Sequence, residues 1–413
     1  MKNIFVIIDG ASDKPGFGYK TPYQRAIKRN LDYFALNGKT GMHYPIDSKT
    51  APESDVAITA LLGYDPYRYF VGRGPLEALG AGMKLKGKNF VAFRCNFATV
   101  SDKYKLFDRR AGRTLTTDEA KELADYLNKK IALPVPFKFI STTEHRGVLV
   151  LFGRLSDNVS NVDPAYERKG KFGVARLFAQ KLEFCKALDK SALAKKTANI
   201  VNMFVHQSHL LLDIHPVNDV RRKRKLKAAN IVLVRDAGNK LPETPKKKRW
   251  AAITGMPLEK GISSAAGMKV LSFEYLKIEG PDLKKQAISV LETEIKWSKI
   301  LLKKNYKKFE SFYIHIKPID VAGHDGDAEM KTRMIEILDK KFFSWLKKFK
   351  NFKLIVTSDH STPCRLKMHS ADPVPLLIYD SSEKLKGTKF DEVSCRKGSV
   401  GLIYGKDVLK LFD

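Results

Sequence analysis

Three apolar runs of this chain end on groups that a protein core cannot bury unpaired. NIFVIIDG (residues 3–10) closes on Asp9, and FYIHIKPIDVAGHDGD (312–327) runs out through Asp320 to His324. KLIVTSDHSTP (353–363) closes on Asp359 and His360, with His369 following in LKMHSADP (366–373). Each run is short and rich in β-branched and aromatic residues, as a buried strand is, and PVPLLIY (373–379) reads the same way. Amphipathic helical stretches lie between them, at 117–130, about 281–303 and 328–348; Thr117 is the expected cap of the first and Asp327 of the last. Strands alternating with long helices specify an α/β layer architecture with parallel pairing. In an open parallel sheet, residues just past the carboxyl ends of the strands collect in one crevice. Groups far apart in sequence therefore converge.

Three Asp and three His in one crevice match what a pair of divalent ions needs, since imidazole and carboxylate together suit Zn or Mn. Six side chains fall short of two coordination shells. Ser54, in TAPESDVAITALLGYDP (50–66), supplies a further oxygen. Each group has a plainer explanation when taken alone. Ser54 reads as the N-cap of the apolar helix that follows it. Asp9-Gly10 reads as a strand-to-turn junction, 324–327 as a turn into the next helix, Asp359-His360-Ser361 as a helix start, and His369 as a surface histidine. What chance does not produce is several strand ends in the flanking segments all carrying metal-capable residues.

Between residues 84 and 266 the texture changes. Arginine-rich strand-like pieces come first, then a helical tract over about 174–212, then a basic loop. The expected division is a discontinuous domain of residues 1–83 and 267–413 with 84–266 inserted. FRCNF with Arg94, DRRAGR with Arg109, Arg110 and Arg113, and EHRG with Arg146 offer planar forks for a carboxylate or phosphate. The competing explanation for several of them is surface ion pairing. The formal charge is +30, with RRKRKLK (221–227) and KKKR (246–249) as its densest clusters. Lysine is nevertheless spread along the whole chain without interleaved aromatics, so a solvated surface is favoured over nucleic-acid binding. The four cysteines form no C-x-x-C pair, and no window approaches a membrane span. A cytoplasmic protein with reduced cysteines is expected, its oligomeric state left open.

NIFVIIDGASDKP, TAPESDVAITALLGYDPYRYFVGRGPLEALGAG, VAFRCNFATV, DRRAGR, VAGHDGD and TSDHSTPCRLKMHSADPVPLLI, in this order along nearly the whole chain, resemble the archaeal-type phosphoglycerate mutases that need no 2,3-bisphosphoglycerate. The resemblance implies an alkaline phosphatase-like, mostly parallel sheet sandwiched by helices, with a large inserted α/β (α+β) domain that holds substrate and excludes water. It implies a cytoplasmic isomerase of glycolysis and gluconeogenesis, acting on phosphoglycerate. Asp9, Ser54, Asp359 and His360 would gather round one divalent ion, and Asp320, His324 and His369 round the other. Mn is the first choice of ion, with Zn, Co or Mg as alternatives. Ser54 would be the nucleophile and carry a phosphoserine, its helix N-terminus offering N–H groups to the phosphoryl oxygens. A general base is also needed, for which Asp108 and Asp163 are candidates.

This chain departs from the family pattern at Glu53, Val56 and Ile58, where glycine, threonine and histidine are usual, in NVDP (161–164), in GISSAAGM (261–268), and at Asp236, where glycine is usual. The metal-ligand positions all match, and several departures fall on the substrate side. The alternatives are therefore a metal-dependent phosphatase or a mutase for another phosphorylated small molecule, and, from a different class, a polyanion-binding protein on the same fold.

Overall fold

The computed structural model describes residues 1–412 other than 88, 171, 176–180, 275–282 and 384. Its strands are β1 (Lys2–Ile8), β2 (Lys39–Tyr44), β3 (Phe90–Val100), β4 (Leu106–Asp108), β5 (Phe137–Ser141), β6 (Arg146–Phe152), β7 (Tyr166–Lys169), β8 (Phe172–Ala175), β9 (Ile231–Gly238), β10 (Trp250–Ile253), β11 (Lys269–Leu271), β12 (Ser311–Ile316), β13 (Phe352–Thr357), β14 (Val374–Asp380) and β15 (Gly401–Tyr404). The chain divides into two compact units, Met1–Phe70 with Thr244–Gly255 and Ile262–Asp413, and Val71–Glu243 with Met256–Gly261.

The first unit is built on an eight-stranded sheet in the order β11-β10-β12-β1-β13-β14-β2-β15. Every pairing is parallel except those of β14, which runs antiparallel to both β13 and β2. The expectation of parallel pairing fails at this strand for a physical reason. Residues 358–373, between β13 and β14, contain no helix, and without a crossover element the chain can only turn back beside the strand it left. β1 sits centrally and both its faces are buried, which is why it reads as an unbroken apolar run. Ile4, Val6 and Ile8 join Phe312, Ile314, Leu354 and Val356 in a core closed by Leu291, Ile295, Met334 and Leu338 from the helices Leu283–Asn305 and Ala328–Leu338.

Register places the site. Ile8 pairs with Ile316 and Ile7 with Thr357, so Asp9, Lys317 and the Asp359 loop emerge together at one edge. Pro318 has no N–H for the ladder, and β12 stops before it and gives way to the helix Ile319–Asp325.

The second unit centres on an antiparallel sheet, β4-β3-β6-β5 with β9 also paired to β3, plus the hairpin β7-β8. Antiparallel pairing throughout makes this unit α+β. The helical tract expected over 174–212 is two different things: β8 ends at Ala175, and a helix, Ala192–Asp213, begins later with Ser191 as its cap. Residues 176–180 of that tract lie outside the described residues, as do 281–282 of the helix expected from 281; the helix itself runs Leu283–Asn305.

Three local expectations are corrected. Thr116, not Thr117, caps the helix Thr117–Lys130, because a reciprocal box with Glu119 satisfies both backbone ends, an arrangement whose loss costs about 1 kcal/mol. The helix expected over 328–348, which Asp327 does cap through the Met330 N–H, ends at Leu338 in a single π-turn, Asp339–Phe343. There the Asp339 carboxylate leaves to accept the N–H groups of Asn30 and Leu31. Arg221, in the densest basic cluster, is fully buried rather than solvated, and its guanidinium donates to Glu119, to the carbonyls of Thr114, Ala111 and Lys227, and to Thr114 Oγ1. Removing a partner of such a pair typically costs about 3–5 kcal/mol, so Arg221 is structural. All four cysteines are buried and unpaired. No helix among the described residues is long and apolar enough to cross a membrane.

Candidate active site

Asp320 and His324 lie four residues apart on the helix Ile319–Asp325, so they share one face. His369, from the loop after β13, joins them: its Nε2 is 3.2 Å from His324 Nε2 and 3.9 Å from Asp320 Oδ1. Backbone carbonyls hold the far nitrogens of both rings, Lys367 O at 3.1 Å from His324 Nδ1 and Pro52 O at 2.8 Å from His369 Nδ1. Carbonyls only accept, so both rings carry hydrogen on Nδ1 and turn Nε2 inward, the arrangement of metal-ligating histidines. Burial acts to lower the pKa of His324, yet the Asp320 carboxylate lifts it to about 9. Burial likewise opposes ionisation of Asp320, but His324 and His369 hold it well below the usual carboxylate range.

A second cluster adjoins the first. His360 Nε2 lies 3.4 Å from Asp9 Oδ1, 3.4 Å from Asp359 Oδ2 and 3.2 Å from Ser54 Oγ. Asp9 Oδ1 and Asp359 Oδ2 are buried carboxylate oxygens without a hydrogen-bond donor. Orphaned anionic oxygens in a buried site cost several kcal/mol, on the order of 3–5, unless a cation faces them, and this donor set fits a divalent ion. Burial and His369 push the His360 pKa down to about 3, keeping its imidazole neutral. Gly10 makes the close approach between clusters possible: its φ is +55°, and a Cβ there would stand 2.2 Å from Asp320 Oδ1.

Ser54 is not the N-cap. Glu53 occupies that position and Ser54 is the first helical residue of Ser54–Leu61, which leaves its Oγ turned toward the strand ends. Lys317 Nζ stands 3.2 Å from Ser54 Oγ and also contacts Asp9 Oδ2. The expected supply of N–H groups at this helix end is reduced, because Val56 N–H is taken by the Asp55 carboxylate at 2.8 Å.

Sequence reasoning missed His315, Lys317 and Thr362. His315 Nε2 is 3.0 Å from Asp9 Oδ2 and its Nδ1 is 2.7 Å from the Tyr313 hydroxyl. Tyr313 and His315 alternate along β12 and Lys317, one residue past its end, continues the pattern; a polar residue at every second place in an otherwise apolar run marks one face turned to a site. Thr362 hydroxyl lies between the clusters, 2.7 Å from Asp320 Oδ1 and 3.0 Å from His360 Nδ1.

In the second unit, Arg109 binds Asp163 with two bonds, at 2.7 and 2.6 Å, and lies over the Tyr166 ring, which Arg235 also covers at 3.8 Å. Burial opposes ionisation of Asp163, but Arg109 and Arg235 hold its pKa down, so its carboxylate is occupied rather than basic. Asp108 accepts the Arg110 N–H at 2.7 Å. Arg94 shares Glu77 with Arg73, and burial with Arg73 nearby lowers its pKa to about 9. Arg146 pairs with Glu144 at 2.9 Å. Arg113 has an interaction partner. Arg110 differs from these: among the described residues no acid pairs with its guanidinium, and burial, with Arg113 beside it, lowers its pKa to about 10. Arg73, Arg235, Glu77 and Tyr166 were not legible in advance.

The mostly parallel sheet, with carboxylates and histidines gathered at its strand ends, defines an α/β protein with a candidate metal centre. Residues 35–218 match the family model described as 2,3-bisphosphoglycerate-independent phosphoglycerate mutase. Proteins of that name from Aeropyrum pernix and Methanocaldococcus jannaschii are 38% and 36% identical, with 98% and 99% of this chain and 97% and 96% of theirs covered. The chain belongs to this family. Among solved structures, the PH0037 protein from Pyrococcus horikoshii superimposes with a TM-score of 0.75 at 27% identity, covering 99% of this chain and 96% of its own. The cofactor-independent phosphoglycerate mutase from Thermoplasma acidophilum gives 0.58 at 29% identity, covering 100% and 98%.

Proposed function

We propose that this protein interconverts 3-phosphoglycerate and 2-phosphoglycerate through a phosphoserine at Ser54, as a cytoplasmic isomerase of glycolysis and gluconeogenesis. The surroundings of Ser54 Oγ carry this reading: Lys317 Nζ and His360 Nε2 each at 3.2 Å, beside the orphaned oxygens of Asp9 and Asp359. Asp9, Ser54, Asp359 and His360 would hold one divalent ion, and Asp320, His324 and His369 the other, manganese by preference. When bound, such ions lower the proton affinity of a ligating hydroxyl and neutralise phosphoryl oxygens. Lys317 supports the anionic form of Ser54 Oγ by donating to it, which favours in-line attack on phosphorus. The new Ser54–phosphate bond forms as the bond to the glycerate oxygen breaks, and that oxygen takes up a proton. Return of the phosphoryl group to the neighbouring hydroxyl requires the glycerate to stay bound. The second unit suits that task, because Arg110 carries a positive charge that no acid among the described residues neutralises. The four unpaired thiols suit a reducing compartment.

The test is to incubate the protein with 3-phosphoglycerate and Mn, Zn, Co or Mg, and to measure 2-phosphoglycerate and free phosphate together. Isomerisation exceeding phosphate release is expected. Phosphate release exceeding isomerisation would replace the mutase with a phosphatase on the same site.

A further inference from the structure

Thr362 Oγ1 has one hydrogen and two neighbours that constrain it differently. Asp320 Oδ1, at 2.7 Å, can only accept. His360 Nδ1, at 3.0 Å, can donate or accept according to tautomer. If the hydroxyl gives its hydrogen to Asp320, it has only lone pairs left for His360, whose hydrogen must then sit on Nδ1. That leaves His360 Nε2 bare, facing Asp9, Asp359 and Ser54. In the opposite arrangement the hydroxyl donates to His360 Nδ1. Asp320 Oδ1 then loses a donor, and an N–H points at the two orphaned carboxylate oxygens, where a cation cannot share its place.

From this geometry we infer that Thr362 is a positioning residue that couples the two ligand clusters, an inference resting on the metal-dependent function proposed above. Only one direction of the His360–Thr362–Asp320 chain is compatible with a cation between Asp9, Asp359 and His360, and that same direction orients the Asp320 carboxylate for the other cluster. Loading of the two ions is therefore interdependent through one hydroxyl. The residue is held for this work. Its N–H donates to Ser12 O at 3.1 Å, its carbonyl accepts from the buried Lys331 Nζ at 2.9 Å, and its methyl packs on Gly323, where a Cβ would come within 2.8 Å of it.

Thr362→Val keeps the shape and methyl and removes the hydroxyl, while Thr362→Ser keeps the hydroxyl. The experiment titrates Mn²⁺ alone into metal-free parent and both variants by calorimetry, and records imidazole ¹⁵N shifts of the metal-free proteins. The parent is expected to take up two ions and to hold His360 protonated on Nδ1. The Val variant should bind Mn²⁺ about 10–100-fold more weakly at the Asp9–His360 cluster, lose part of the interdependence, and show a mixed His360 tautomer, while the Ser variant stays near the parent. A Val variant with parental affinities at both sites overturns the inference, and so does a Ser variant as weak as Val, since that would assign the effect to methyl packing. These titrations read the relay whichever phosphorylated substrate the enzyme turns over, so a failure to isomerise phosphoglycerate is a separate result.

Discussion

His324 and His369 turn their Nε2 atoms toward each other across 3.2 Å, with Asp320 Oδ2 3.3 Å from His324 Nε2. Two imidazole lone pairs at that distance repel unless a proton or a cation lies between them, and Asp320, overriding burial, lifts the His324 pKa to about 9. In the proposed site a divalent ion would take the place of a proton there. Adding Mn²⁺ at 100 times its dissociation constant to metal-stripped protein should therefore stabilise it by about 2.7 kcal/mol per site, seen as a rise in Tm. His324→Ala should bind fewer ions than the parent. Unchanged metal content in that variant would remove His324 from the ligand set.

Ser54→Ala should abolish isomerisation and the acid-stable phosphoenzyme trapped from labelled substrate. Lys317→Met keeps the nucleophile and removes the donor beside it. By analogy with loss of one donor to a developing oxyanion, it should lower kcat by about 10²–10³-fold with a smaller change in KM. Steady-state kinetics distinguishes this from a binding defect, in which KM would carry the effect.

How much of this site the sequence carried follows from how each residue reaches it. Asp9, Asp359 and His360 were legible because strand ends collect in a crevice whatever the intervening chain does. Asp320 and His324 were legible as a strand end running into polar residues, although the helix Ile319–Asp325 that carries both was not foreseen and a turn over 324–327 was the plainer alternative. Thr362 was not, because its importance depends on a hydroxyl hydrogen shared between two loops, which no spacing encodes. Ser54 was a nucleophile candidate through the family resemblance, with helix capping as the plainer explanation; Glu53 holds the N-cap position instead, without a side-chain cap bond, and Ser54 is the first helical residue. The arginines were visible as charges, but their acids Glu77, Asp163 and Glu144 were not assigned to them, since pairing across strands depends on register. The turn-back at β14 was missed because an apolar run does not declare its direction.

Glu392 gives a pH dependence separate from the candidate metal clusters. It is buried and accepts from Ser12 Oγ, Asp13 N–H and Thr21 Oγ1, and burial lifts its carboxyl from 4.5 to about 7. The folded state therefore prefers the protonated acid. That contribution to stability is complete below the unfolded value near 4.5 and is lost as pH rises through 7, amounting to at most about 3 kcal/mol. Glu392→Gln imitates the protonated form, so it should match the parent near pH 5 and exceed it in urea melts at pH 8. A variant less stable than the parent at both values would mean that the carboxylate is held ionised.

Arg109 and Arg110 are neighbours with opposite expected behaviour. Arg109 is bound twice by a fully buried Asp163 and lies against Tyr166, so Arg109→Ala strips the carboxylate of both close ionic bonds and leaves it the Ala165 N–H and the more distant Arg235, at 3.9 Å. Its cost should appear first as stability, about 3–5 kcal/mol, with kinetics following from the damage. Arg110 is desolvated beside Arg113 with no acid among the described residues to neutralise it, so folding gains nothing electrostatically from its charge. A charge kept under those conditions suits the anionic substrate of the proposed function. Arg110→Ala should therefore leave Tm unchanged or slightly raised while KM for phosphoglycerate rises by about tenfold or more, the loss of one charge-assisted bond of about 1.5–3 kcal/mol. Thermal melts and steady-state kinetics on the two variants check the contrast, and an Arg110→Ala protein that melts early with its KM intact would make Arg110 structural.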